Sequence, residues 1–395
     1  MPAKLRYHAA PATPLSLAVV LALTVAGLLT LSGAEAANKQ PQCGDTITAD
    51  TRLHSDLVDC PSNGIVIGAD DVTLDLNGHT ISGDGEAFGQ CPGREFCDFG
   101  VLNIGHDGVS VKKGSVRDFF NAGVLIGRVR ENRVIDVSSK GNGFFGFVVS
   151  ESARSLIRDS SGSRNPAPDG DGLGIFASHD IRVVDNSFKH NAQPGIHVAL
   201  GSNDNVIEGN LISDSGPGIL IEKADRNRVR RNRFVGNSAG LIVAPGSHNV
   251  IARNHLSGDG DGIAIEKGRD NVVKRNLVVG ASGDGIYLGL DAPPVGGLDN
   301  VVRRNEVRGS GDDGFDVRRK DNHSVLTRNL AVGSGDDGFD IESRSTRLAR
   351  NRATRNGDLG IAVRRGAIDR GGNRAGGNGD RRQCVQVKCH GAPRR

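Results

Sequence analysis

Internal repetition constrains this 395-residue chain more than any other feature. Aligned on the glycine that precedes an apolar-x-apolar triplet, the series runs Gly195, Gly218, Gly240, Gly262, Gly285, Gly314, Gly338, Gly360, with spacings of 23, 22, 22, 23, 29, 24 and 22 residues. A second landmark, the last asparagine of Asn-x-Val-x-x-Asn-like phrases, keeps the same period through Asn210, Asn232, Asn254, Asn276, Asn305, Asn329 and Asn351. The one long interval holds Asp291-Ala292-Pro293-Pro294-Val295-Gly296-Gly297, which reads as a loop inserted into a single turn. Weaker copies reach upstream through residues 172–175, 144–149, 123–126 and 72–78.

Within a repeat the apolar residues alternate over short stretches, as in Ile263-Ala264-Ile265 and Phe315-Asp316-Val317, the period-two signature of a half-buried strand. A unit of this length cannot bury its inward side chains alone, but stacking buries them in every coil at once. The expected fold is all-β: a single right-handed parallel β-helix with coils about 4.8 Å apart and the recurrent asparagines hydrogen-bonded in a ladder inside one turn. Val, Ile and Phe fill the pattern, with no Leu-x-x-Leu-x-Leu phrase, which argues against a leucine-rich horseshoe. The expected organisation is a signal peptide over 1–36, an N-terminal cap over 37–64, the β-helix over 65–365 and a C-terminal cap and tail over 366–395.

The N-terminus supports export. Lys4 and Arg6 precede an apolar run from Leu15 to Leu31, and Ala34-Glu35-Ala36 supplies a small-x-small cleavage site; no second segment could span a bilayer. A secreted or periplasmic location follows. The six cysteines then fall into close pairs, Cys43 with Cys60, Cys91 with Cys97 and Cys384 with Cys389, a spacing that favours disulfides near the ends although it leaves the connectivity open. Trp is absent, only two tyrosines occur, and 49 basic residues nearly balance 46 acidic ones, so neither a nucleic-acid stacking platform nor a global polyanion affinity is indicated. No nucleic-acid partner is expected, and the chain is expected to be a monomer.

The segment Asp71-Val72-Thr73-Leu74-Asp75-Leu76-Asn77-Gly78-His79-Thr80-Ile81-Ser82-Gly83, followed by the repeats, resembles the secreted right-handed parallel β-helix superfamily. That superfamily includes pectate lyases, polygalacturonases, alginate epimerases and the periplasmic copper-delivery β-helix of nitrous oxide reductase maturation. The resemblance implies the fold strongly and the function weakly.

The period converts positions into columns. If the residue after each glycine points inward, the next points outward: Leu220, Ile242, Ala264, Tyr287, Asp316, Asp340, Ala362. The phrase Gly-Ser-Gly-Asp-Asp-Gly-Phe-Asp occurs twice, 24 residues apart, so Asp312, Asp313 and Asp316 should lie under Asp336, Asp337 and Asp340, with Asp261, Asp284 and Asp358 nearby. Two carboxylates about 5 Å apart repel by roughly 3 kcal/mol at an effective dielectric near 20. Raised pKa values, arginine neighbours or a bound cation must relieve that, and oxygen-only ligands outside the cell suit Ca²⁺. Solvated Asp-Gly turns are the plainer alternative.

The Asp-Asp-Gly-Phe-Asp phrase also resembles the calcium-site motif of family 9 pectate lyases. Carried over, this resemblance implies Asp336, Asp337 and Asp340 as ligands with Asp312 from the preceding coil, and β-elimination on a uronan. Its lysine base has no counterpart, since no Lys stands between Lys320 and Lys388. Arg318 and Arg364, four residues after their glycines, are the candidate catalytic bases; Tyr287, one coil below Asp316, is a candidate for sugar stacking. Arg304, Arg328 and Arg350 belong to a column (Arg231, Arg253, Arg275, Arg304, Arg328, Arg350) suited to an acidic polysaccharide, or serving only solubility. The histidines do not fall in one column, and the His-Gly and Arg-Ile-Lys phrases typical of polygalacturonases are missing. The expected function is therefore acting on or binding an acidic polysaccharide, as a calcium-dependent lyase or, alternatively, as a non-catalytic envelope or cell-surface binder or scaffold.

Overall fold

The computed structural model describes residues 40–86, 97–166, 168, 170–289 and 298–391. The leader, Cys91 and the inserted loop at 291–297 lie outside the described residues. Secondary structure within them is entirely strand and turn, so no helix is long and apolar enough to cross a membrane.

Each regular coil supplies three short strands. In one coil these are Val301–Arg303, Glu306–Arg308 and Phe315–Val317, which pair in parallel with Val325–Thr327, Leu330–Val332 and Phe339–Ile341 of the next. The third strands build a fifteen-stranded sheet from Asp45–Ile47 to Cys384–Val385, here called the front sheet. The first and second strands form the ladders of the back. This is the parallel β-solenoid expected from the period, and pairing extends into the segments expected as caps: Asp45–Ile47 pairs with Ile65–Ile67, and Ile361–Val363 with Cys384–Val385. Disulfides Cys43–Cys60 and Cys384–Cys389 lie near the two ends, and Cys97 is also disulfide-bonded.

The inward residues of all three strands make one continuous apolar core from Ile47 to Ala375. Identical residues stack upon each other: the rings of Phe315 and Phe339 lie 4.5 Å apart and within 4° of parallel. The glycine opening each front strand is required by the tight corner. A Cβ on Gly314 would lie 2.6 Å from the carbonyl oxygen of Gly338 and 2.8 Å from the Ala331 Cβ.

Asparagines close the remaining corners, in more than the one ladder the sequence pattern suggested. The backbone N–H of Asn210 donates to Asn232 Oδ1 at 2.9 Å, Asn232 to Asn254 at 3.0 Å and Asn254 to Asn276 at 2.9 Å. A second ladder runs Asn205, Asn227, Asn249, Asn271, Asn300, and a third includes Asn142, Asn165 and, further up, Asn237 with Asp259. Each side-chain amide satisfies backbone groups that the corner would otherwise leave buried and unpaired.

Candidate functional site

The front sheet sets the register of the candidate residues. Leu220, Ile242, Ala264, Tyr287, Asp316, Asp340 and Ala362 are successive parallel partners, so the two aspartate phrases do stack coil on coil. The column points away from the core yet is far from solvated. Ile242, Ala264 and Tyr287 form a buried cluster of their own with Ala239, against which Leu220 and Ala244 pack, and Asp316 is 0% exposed.

The residue just before the corner glycine forms a carboxylate version of the asparagine ladder. Asp261 Oδ1 accepts the backbone N–H of Asp284 (2.9 Å), Asp284 Oδ1 that of Asp313 (3.1 Å), Asp313 Oδ1 that of Asp337 (2.8 Å), and Asp337 Oδ1 that of Leu359 (2.7 Å). These aspartates therefore have a structural task, and an asparagine could perform it. The charge is what distinguishes them. Carboxylate oxygens of Asp284, Asp313 and Asp316 lie within 4.8 Å of one another, as do those of Asp312, Asp313 and Asp336, and of Asp336, Asp337 and Asp358. Neither oxygen of Asp316 accepts a hydrogen bond of good geometry, although Arg318 Nη2 makes an ion-pair contact at 2.6 Å.

Burial pushes these carboxyls up. Asp313 rises to about 8 and Asp316 to about 9, in each case through desolvation first and then the charge of Asp284. Desolvation likewise lifts Asp337 to about 7 and Asp284 to about 6, the latter with the charge of Asp261. Asp340 is also raised by burial, with Glu342 adding to it. For Asp316 the nearby guanidinium acts in the opposite direction without reversing the result. At neutral pH such a set must hold protons or a cation. The donors are all hard oxygens, at semi-rigid backbone positions on adjacent coils, which fits Ca²⁺.

The other candidates stand in surroundings that bear on the roles expected of them. Arg318 is tied to Asp316 and its guanidinium carbon lies 5.5 Å from the centre of the Tyr287 ring, so it sits in the cluster as a charged partner and not as a free base. Arg364 Nη2 pairs with Glu342 Oε1 at 2.5 Å. Tyr287 is 7% exposed, with Arg318 over its ring, which leaves little of that ring for a sugar. Arg304, Arg328 and Arg350 are not part of this site. Arg304 stands before the strand Glu306–Arg308 and Asp312 after it, so the arginine and aspartate columns occupy different corners of the coil.

One constellation escaped sequence reasoning. His197 occupies the same front column, between Gly174 and Leu220, with Nδ1 3.3 Å from Asp171 Oδ2 and Nε2 3.9 Å from Glu222 Oε2. The ring of Phe176 meets it edge-on at 5.4 Å. Desolvation opposes the charge on this imidazole, but the two carboxylates overcome it and raise its pKa to about 9. The usable signal was the column: two residues after Gly195 comes His197, and four after Gly218 comes Glu222.

The family model described as "Periplasmic copper-binding protein (NosD)" matches residues 100–239 and 146–293. The chain is similar to that family over those coils. The paired aspartate phrases lie beyond the matched stretch. The donors do not suit copper: the only methionine is the initiator, the described cysteines are in disulfides, and every group of three or more described side chains mutually close enough to share an ion is made of aspartates alone. No curated protein matches this chain. Among solved structures, the pre-mature form of bacteriophage phi29 gene product 12 aligns with a TM-score of 0.58 at 11% identity, over 88% of this chain and 52% of that one, a likeness of fold. The A-module of the mannuronan C-5 epimerase AlgE4 of Azotobacter vinelandii aligns at 0.44 and 16% identity, over 76% of this chain and 78% of that one. A double mutant of the tailspike protein of E. coli bacteriophage HK620, in complex with a pentasaccharide, aligns at 0.47 and 11% identity, over 87% and 73%.

Proposed function

We propose that this exported β-solenoid acts on an acidic polysaccharide at the front-sheet carboxylate stack, with Ca²⁺ held by Asp284, Asp313 and Asp316 and by the adjoining Asp312, Asp336 and Asp337. The observation carrying this reading is Asp316: fully buried, without a well-formed hydrogen bond to either oxygen, and set within 4.8 Å of two further buried carboxylates. A carboxylate in that position demands a counter-charge, and Arg318 alone supplies one positive charge to three acids. Asp340, in register above Asp316, completes the acidic surround.

When bound, Ca²⁺ would withdraw electron density from a uronate carboxylate and make the neighbouring C–H more acidic, the requirement for β-elimination. The chain's own residues would do the rest. Arg318 orients Asp316 and offers guanidinium N–H groups to a substrate carboxylate; to act as base, it or Arg364 would first have to give up its own proton to solvent, which the ion pairs with Asp316 and Glu342 oppose.

A non-catalytic binder is the second reading, favoured by the ion pairs that hold both arginines charged. Incubating the purified protein with polygalacturonate and with alginate, in calcium and in chelator, separates the two. A calcium-dependent unsaturated product that disappears in Asp313→Asn supports the lyase; no such product on either uronan overturns it and leaves the binder.

A further inference from the structure

A second charged surface lies at a different corner of the coils. Between the two back strands of each coil the chain passes through one residue in the left-handed region, immediately before a ladder asparagine. Arginine occupies that place at Arg231, Arg253, Arg275, Arg304, Arg328 and Arg350, all with φ between 56° and 58°. The next corner of the same coils is also left-handed, with Gly236, Gly258, Gly280, Gly309 and Gly333 in five of them and Arg355 in the sixth. Glycine is the residue that adopts this conformation without steric cost, and a side chain there costs about 1 to 2 kcal/mol. One corner is mostly glycine and the other repeatedly arginine, so a guanidinium recurs coil after coil along the axis.

At the upper coils these side chains meet in a groove. It is lined by Arg303, Arg304, Arg328, Arg350 and Arg370 around the small side chains of Thr327 and Ala349. The register explains the shape. Arg303, Thr327 and Ala349 are successive partners on the back strand, and Arg370 follows Asp369, the partner of Leu348. The outward column therefore has an arginine at each end and small residues between, with Arg304, Arg328 and Arg350 along one side. Three coil steps make the trough about 14 Å long. Among the described residues none of its five arginines is ion-paired, whereas lower in the same columns Arg230 and Arg231 share an ion pair with Glu208 at 2.7 and 2.6 Å.

We infer that this trough is an anchoring site for a linear polyanion, remote from the aspartates and independent of any cation, and that its ligand is an acidic glycan lying along the solenoid axis. Guanidinium groups bind carboxylates bidentately, and their near 5 Å repeat suits a polymer carrying one anionic group per sugar. The lining contains no aromatic residue on which nucleobases could stack. The choice of glycan rests on the function proposed above; the existence of the site does not.

The test is binding to polygalacturonate measured calorimetrically in chelator at low salt, with neutral dextran as control and long-chain inorganic polyphosphate as a second arm. The expected result is measurable uronan affinity that weakens as salt rises, falls about tenfold or more in Arg328→Ala/Arg350→Ala, and is largely retained in Arg328→Lys/Arg350→Lys. Circular dichroism and melting confirm that the variants are folded. Wild-type affinity that the double alanine variant preserves, or no binding in chelator, overturns the site. Binding of polyphosphate but not uronan in an arginine-dependent manner overturns the assigned ligand. Absence of lyase product alongside arginine-dependent uronan binding removes the catalytic reading only, and turnover without binding in chelator removes the trough only.

Discussion

Asp313→Asn isolates charge from architecture. Asp313 Oδ1 accepts the Asp337 backbone N–H at 2.8 Å, the bond that asparagine makes throughout the other ladders, so the variant keeps the corner closed. What changes is a proton. The carboxyl is held at about 8 in the fold against 3.8 for the ordinary group, chiefly by desolvation. Between those values the folded chain binds a proton that the unfolded chain has lost, so stability falls as pH rises, by about 1.4 kcal/mol per unit. The contribution is complete below 3.8 and gone above 8; across the interval it amounts to about 6 kcal/mol. Urea denaturation in chelator at intervals from pH 5 to 8.5 should show the wild type losing stability steadily, with a shallower slope in Asp313→Asn by up to one proton. Millimolar Ca²⁺ should restore the wild type at pH 8 and raise the variant much less. Parallel pH slopes for the two proteins, or an equal calcium response, would refute the assignment of a buried, charge-stressed carboxylate to this position.

Other consequences are as direct. Asn254→Ala removes the acceptor of the Asn232 backbone and side-chain N–H groups, the donor to the Val229 carbonyl, and one donor to Asn276 Oδ1, and should cost about 3 to 6 kcal/mol in equilibrium unfolding. Gly314→Ala drives a methyl into the Gly338 carbonyl and should lower stability by about 1 to 3 kcal/mol, visible as a reduced melting temperature. The His197 ring should titrate near pH 9 by NMR; because its folded value exceeds the ordinary 6.5, its contribution is complete below pH 6.5 and lost as pH passes 9. A midpoint near 6.5 would show that Asp171 and Glu222 do not enclose it.

The repeat made much of this molecule legible. A period of 22 to 24 residues in two independent landmarks determines that like residues stack along the axis, and from that follow the parallel strands, the asparagine ladder and the superposition of Asp316 on Asp340. The close cysteine pairs gave two observed disulfides in the same way. A period says nothing about how far a column is covered from the side, or which columns share a corner. The outward position of Asp316 and Tyr287 was readable, their burial was not, because it depends on the flanking side chains and turns of adjacent coils. Asp284 enters the carboxylate group across the long 29-residue interval, and His197 finds Asp171 and Glu222 from three different coils. The arginine and aspartate columns, a few residues apart in sequence, are parted by the strand Glu306–Arg308 and so became two surfaces and not one cleft. Sequence determined what lies above what; only the folded coil, by closing its corners and excluding water, decided what lies beside what and at what electrostatic cost.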